Sequence, residues 1–130
     1  MFSHMMVGAD DLDTAKTFYD ATLGAIGMRP GARISPTRVF YTDGAVNFLV
    51  TTPIDGEPAT HANGGTIGFS MKSPDEVEAW HAAGVAAGGK SCEDPPGVRG
   101  AGTDRPMYLA YLRDPAGNKL CALHFLPAGS

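Results

Sequence analysis

"TIGFSMKSPDEVEAWHAAGVAAGG" (residues 66–89) decides the fold, because it repeats an order of elements already present at the start of the chain. Residues 66–72 read as a strand, with Ile67, Phe69 and Met71 on one face. Ser73 is placed as an N-cap, Pro74 at the first helical position and Glu76 three residues on, which together predict a capped helix. Gly88 and Gly89 end it. The opening residues follow the same plan. "FSHMMVGA" (2–9) has the length and composition of a strand, and "DDLDTAKTFYDATLGAIG" (10–27) carries Leu12, Ala15, Phe18, Tyr19 and Leu23 at helical spacing, with Gly24 as the stop.

Each strand–helix pair is followed by further strands. "TRVFYTDGAVNFLVTT" (37–52) predicts two strands with Asp43-Gly44 between them, a hairpin signal. "MYLAYLRDPAGNKLCALHFL" (107–126) predicts a second hairpin around the Asp114–Asn118 turn. "PIDGEPATHANGG" (53–65) reads as a polar connector and "CEDPPGVRGAGTDRP" (92–106) as a long loop. The two first strands lie about sixty residues apart, too long a period with too few copies for a solenoid. Paired modules burying a shared core are expected: module one over about 1–55, a connector at 56–65 and module two over about 66–127.

Composition narrows the function classes. At 130 residues the chain suits one domain with a real core, and 18% charged residues against 43% hydrophobic ones suit a folded chain rather than a disordered one. A formal charge of −4 without a run of Lys or Arg argues against a nucleic-acid surface. No apolar stretch approaches the ~20 residues of a membrane span, and "MFSHMM" has no signal-peptide pattern. Cys92 and Cys121 form no zinc or disulfide framework, so two reduced thiols in the cytoplasm are expected. A serine nucleophile elbow, a Walker loop, a Rossmann fingerprint and HExxH are all absent.

The sequence resembles the vicinal oxygen chelate superfamily, which includes glyoxalase I, bleomycin-resistance proteins, fosfomycin-resistance enzymes and extradiol dioxygenases. The residues that carry the likeness are "FSHMMVGADDLDTAKTFYDATLGAIGMRP" (2–30) and "YLAYLRDPAGNKLCALH" (108–124). The resemblance implies an α+β fold of two βαβββ modules whose mixed sheet cups a cavity, and a homodimer in which the partner often completes that cavity. It also implies, for metal-dependent members, one ligand on the first and last strand of each module, drawn from His and Glu. The metal there acts as a Lewis acid.

Only one of those four positions keeps a family ligand. His4 matches the first. The second falls on Phe48, or on Asn47 if the register slips by one; the third on Thr66; the fourth, three residues beyond "GN", on Cys121. One imidazole and a thiol fall short of a catalytic zinc site and lack the carboxylates a hard cation takes. The expectation is a pocket without a cofactor or divalent metal; the alternative is a metal-dependent lyase, isomerase or dioxygenase with an atypical site, such as a soft one made of His4, Cys121 and another residue.

Strand parity puts His4 with Met6, and Cys121 with Lys119 and Leu123, on what is read as one cavity wall. His4 is then either a proton shuttle or a hydrogen-bonded wall residue. Cys121 is either an inert buried thiol or a nucleophile activated by Lys119 or His4. His124 faces away from Cys121, and His81 reads as a packed or surface residue. Candidate ligand contacts are Phe48, Thr66 and Tyr108 on strands, His61 and Asn63 in the Gly-flanked connector, and Arg99 in the long loop with Arg105. Phe40, Tyr41, Phe48, Tyr108 and Tyr111 are expected to divide between core and cavity, giving an aromatic pocket for an organic ligand. Three functions stay open: a glyoxalase-like lyase, isomerase or dioxygenase relative using His4 and Cys121; a metal-free protein that sequesters a small molecule; or a pocket retained as a regulatory or partner surface.

Overall fold

The computed structural model describes residues 1–130. Its first sheet grows from the short alternating segments of the N-terminal half. β1 (His4–Gly8) leads into α1 (Leu12–Gly24), which starts where the Asp11 carboxylate accepts a hydrogen bond from the Thr14 N–H at 3.0 Å. β2 (Ala32–Ser35), β3 (Arg38–Thr42) and β4 (Asn47–Thr51) follow, in the spatial order β1-β4-β3-β2. β1 runs parallel to β4 and the rest are antiparallel. The β3–β4 turn forms because Gly44 takes φ 93° and the Asp43 carboxylate accepts from the N–H groups of Ala45 and Val46.

The second sheet repeats the plan. β5 (Ile67–Ser70) precedes α2 (Pro74–Ala86), whose start is fixed reciprocally: Ser73 Oγ accepts from the Glu76 N–H, and the Glu76 carboxylate accepts from the Lys72 N–H. β6 (Lys90–Ser91), β7 (Gly97–Arg99), β8 (Met107–Arg113) and β9 (Lys119–Phe125) complete it. β5 is parallel to β9, β9 antiparallel to β8, and both β6 and β7 pair with β8. β6 and β7 are therefore one edge strand, interrupted by the excursion at residues 92–96. This corrects the expectation of an unbroken loop over 92–106. β2 and β6 also lie outside the predicted strands. The architecture is α+β, with two βαβββ units.

One core serves both units. Phe18, Tyr19 and Leu23 of α1 join Val39, Tyr41, Phe48 and Val50 of the first sheet, and Val77, Trp80, Leu112 and Leu120 of the second half. The rings of Phe48 and Phe69 meet across the two sheets at 5.5 Å between centroids. Gly84 lets α2 settle onto α1 and β8, since a Cβ there would fall 2.3 Å from Leu112 Cδ1 and 3.0 Å from Thr22. Polar ties join the halves as well. The Tyr19 hydroxyl donates to Asp114 at 2.6 Å, and the Asn118 amide donates to Asp114 and to the Gly8 carbonyl at 2.9 Å each. No helix is long and apolar enough to cross a membrane.

Candidate functional site

The period of two along β1, β3 and β4 sorts each strand into two faces. Met5, Val7, Val39, Tyr41, Phe48 and Val50 pack toward the helices. The alternate residues His4, Met6, Arg38, Phe40, Asn47 and Leu49 turn the other way and, with Ser3 and Ile34, line an open cleft of about 330 Å³. Its floor is ordered in rows by strand register. His4 pairs with Asn47 at one end, Met6 with Leu49 and Phe40 in the middle, and Thr51 with Arg38 at the far end. His4 is exposed, and its Nδ1 lies 2.7 Å from Ser3 Oγ, which leaves Nε2 for a ligand. Met6 and Ile34 are 37% and 55% exposed, so the cleft presents apolar surface to solvent. The Nε of Arg38 is buried without an acceptor; leaving such a donor unpaired costs about 1–3 kcal/mol.

A second cavity of about 280 Å³ lies at the seam between the sheets. Residues 5–8 of β1 form one wall, Ile67, Asn118 and Lys119 the other, and Thr60, His61, Ala62, Gly65 and Thr66 close it. The structure thus brings His61 and Thr66 together. His61 rests on the Asp114–Asn118 turn, where a Cβ on Gly117 would come within 3.2 Å of its ring. Asn63, exposed in the same loop, is not among the lining residues. Met6 borders both the seam and the open cleft.

Cys121 belongs to neither cavity. It is 5% exposed on β9, beside Tyr111 of β8. Burial pushes its thiol above the ordinary value, more than the Tyr111 hydroxyl and the charges of Lys119 and Arg99 draw it down. Lys119 is held in an ion pair by Glu93, and its Nζ lies 5.0 Å from the centre of the Tyr111 ring. The expectation of one wall shared by His4 and Cys121 is therefore corrected, since the two sit on different sheets, and of the two readings of the thiol the structure fits the buried, protonated one.

Three further placements are corrected by register. Phe48 is not in the His4 cleft: it is 4% exposed among Tyr19, Tyr41 and Phe69, borders a separate cavity of about 260 Å³ with Phe69, and leaves Asn47 as the side chain beside His4. Tyr108 packs against the core and donates to Glu78 of α2 at 2.6 Å, on the helix side of its sheet. Arg99 donates to the carbonyls of Asp94 and Pro95, bracing the 92–96 excursion rather than reaching either cavity. Of the five strand aromatics, Phe40 alone lines the His4 cleft. His81 bonds Ser91 and His124 bonds the Met71 carbonyl. Arg38, Leu49 and Ile34 went unread in the sequence, although parity from Phe40 places Arg38 beside it on the same face.

The residues present do not fit the family's divalent metal. Nowhere do three or more His, Cys, Asp or Glu side chains converge as they would on an ion. The family positions bring one imidazole with an amide beside it, a hydroxyl in the other cavity and a buried neutral thiol, without a carboxylate.

A family model described as the Glyoxalase/Bleomycin resistance protein/Dioxygenase superfamily matches residues 1–122. A crystal structure of a glyoxalase/bleomycin resistance protein from Albidiferax ferrireducens T118 is 57% identical, with a TM-score of 0.89 over 95% of this chain and 98% of that one. The fold is shared with a glyoxalase/bleomycin resistance protein/dioxygenase family enzyme from Burkholderia phytofirmans PsJN (17% identity, TM-score 0.71, 95% and 98% covered). It is shared too with lactoylglutathione lyase from Agrobacterium tumefaciens (22% identity, TM-score 0.65, 95% and 92% covered). No curated protein matches the chain.

Proposed function

The chain belongs to the Glyoxalase/Bleomycin resistance protein/Dioxygenase superfamily, and from that premise we propose that it binds a small organic molecule in the His4 cleft without a divalent metal. The observation that carries this reading is the make-up of the cleft: an apolar floor of Met6, Phe40 and Leu49, one imidazole at its end, and no carboxylate among its lining residues. Such a surface desolvates an organic body and orients it through a few polar groups. To a hard cation it offers only a neutral amide and a hydroxyl, with no carboxylate. Sequestration is the activity it supports best. Should turnover occur, His4 is the group suited to carry a proton, through the nitrogen that Ser3 leaves free.

We also propose a homodimer in which the partner covers this open face, supported by the apolar surface of Phe2, Met6 and Ile34. Two free cysteines suit a reducing compartment, and we place the protein in the cytoplasm.

The test is a thermal-shift screen of organic acids, aromatic compounds, glutathione adducts and antibiotics, run with EDTA and again with added zinc or nickel. A ligand at a hundredfold excess over its Kd adds about 2.7 kcal/mol of stability. That shift is expected with EDTA present, and His4→Ala should remove most of it. A shift that needs the metal, with His4 among three or more protein ligands to it, overturns the reading.

A further inference from the structure

Two buried side-chain polar atoms in the whole chain lack a hydrogen-bond partner: Trp80 Nε1 and Arg38 Nε. Trp80 is fully enclosed in the core and can meet no ligand. Arg38 lines the open cleft. Of the nine other Lys and Arg side chains, Arg33 pairs with Asp13, Lys16 with Asp20 and Lys119 with Glu93, Arg99 and Arg113 donate to backbone carbonyls, and none of the nine lines the cleft. The Arg38 side chain has neither an ion pair nor a hydrogen bond. A guanidinium with a buried N–H almost always finds an acceptor.

We infer that Arg38 is an anion receptor, and that the cleft takes an amphipathic organic monocarboxylate. This rests on the reading of the cleft given above and names its ligand class. The guanidinium fork matches the two oxygens of a carboxylate. A phosphate dianion would call for more positive charge and more donors than this cleft supplies, since Arg38 is its one fixed cation. The chain as a whole carries −4, so the positive site stands against the general balance rather than following it.

Geometry sets the shape of the ligand. The row of Arg38 and the row of His4 are four residues apart along the strands, about 13 Å between their backbones. Between them lie Met6, Leu49 and Phe40. A ligand that satisfies the cleft therefore has its carboxylate at Arg38, an apolar body over the middle row, and its far end near His4 and Asn47.

The experiment titrates octanoate and 4-phenylbutyrate, each against its neutral amide, into the wild-type protein and into Arg38→Gln, Arg38→Lys and His4→Ala, by calorimetry. The expected result is that acids bind the wild type more than tenfold tighter than amides. Arg38→Gln should remove that preference and Arg38→Lys should keep part of it. His4→Ala should weaken acid and amide alike while leaving their ratio unchanged. Without ligand, Arg38→Gln should hold or raise the melting temperature, because no native partner is lost. Equal binding of acid and amide to the wild type, both still weakened by His4→Ala, overturns the anion receptor and leaves the cleft reading standing. Binding of neither overturns both. If Arg38→Gln dissociates a dimer in sedimentation while leaving the acid-to-amide ratio intact, Arg38 serves a partner's carboxylate and the inference fails.

Discussion

Asp114 lies in what reads as an ordinary turn, yet it is 4% exposed and accepts hydrogen bonds from the Tyr19 hydroxyl, the Asn118 amide and the N–H groups of Ala116 and Asn118. Removing the acceptor leaves several buried donors unpaired, so Asp114→Ala is expected to lower stability by about 2–4 kcal/mol in urea unfolding. Tyr19→Phe should cost less. The same contact sets an alkaline limit. Burial, then the Asp114 charge, raises the Tyr19 pKa, and burial with the bond to Asp20 raises that of Tyr41. A folded pKa above the unfolded value of about 10 means this stability is present below pH 10 and drains away as pH rises beyond it. The melting temperature should therefore fall above pH 10, and less steeply in Tyr19→Phe. Cys121 gives another residue-scale expectation. Buried and protonated, it should stay unlabelled by iodoacetamide at pH 8 while the half-buried Cys92 reacts, and should label once urea unfolds the chain. Rapid labelling of Cys121 in the folded protein would contradict its placement.

Elements with strong local signals were legible. The Ser73–Glu76 box, the Asp43-Gly44 turn and the apolar spacing of α1 each place their element correctly, because the forces that make them act within a few residues. β2, β6 and β7 were not. They are two to four residues long, mostly exposed, and strands only because β3 or β8 offers hydrogen bonds. The same distinction explains the site. His4, His61 and Thr66 sit in short segments next to obvious strands and do line cavities. Phe48 and Tyr108 were misassigned because facing depends on register, which a partner strand sets. Arg38 falls within a predicted strand, and its side follows only once pairing with β4 fixes which face of β3 meets the core. Helix packing supplies a sharp test. Gly84→Ala should gain helix propensity but push a methyl into Leu112 and Thr22, for a net loss of about 1–3 kcal/mol by thermal unfolding. Gly24→Ala, with nothing within 4 Å, should be neutral or stabilising.

For the whole molecule, the repeated order of elements was readable, and the way the copies share one core was not, since no local pattern announces that Phe48 will meet Phe69 or that Tyr19 will find Asp114. The halves adhere through these buried contacts, whereas the connector crosses the surface with Ile54 96% exposed and the Ala59 N–H anchored on Asp10. The connector at Asp55–Gly56 contributes little to the packing that joins the halves. Two separately expressed peptides, severed at that bond and mixed, should find each other and regain the native circular dichroism and melting transition of the intact chain. Recovery of that transition on mixing would make the two halves partners in an assembly, with the connector serving only to keep them at high local concentration.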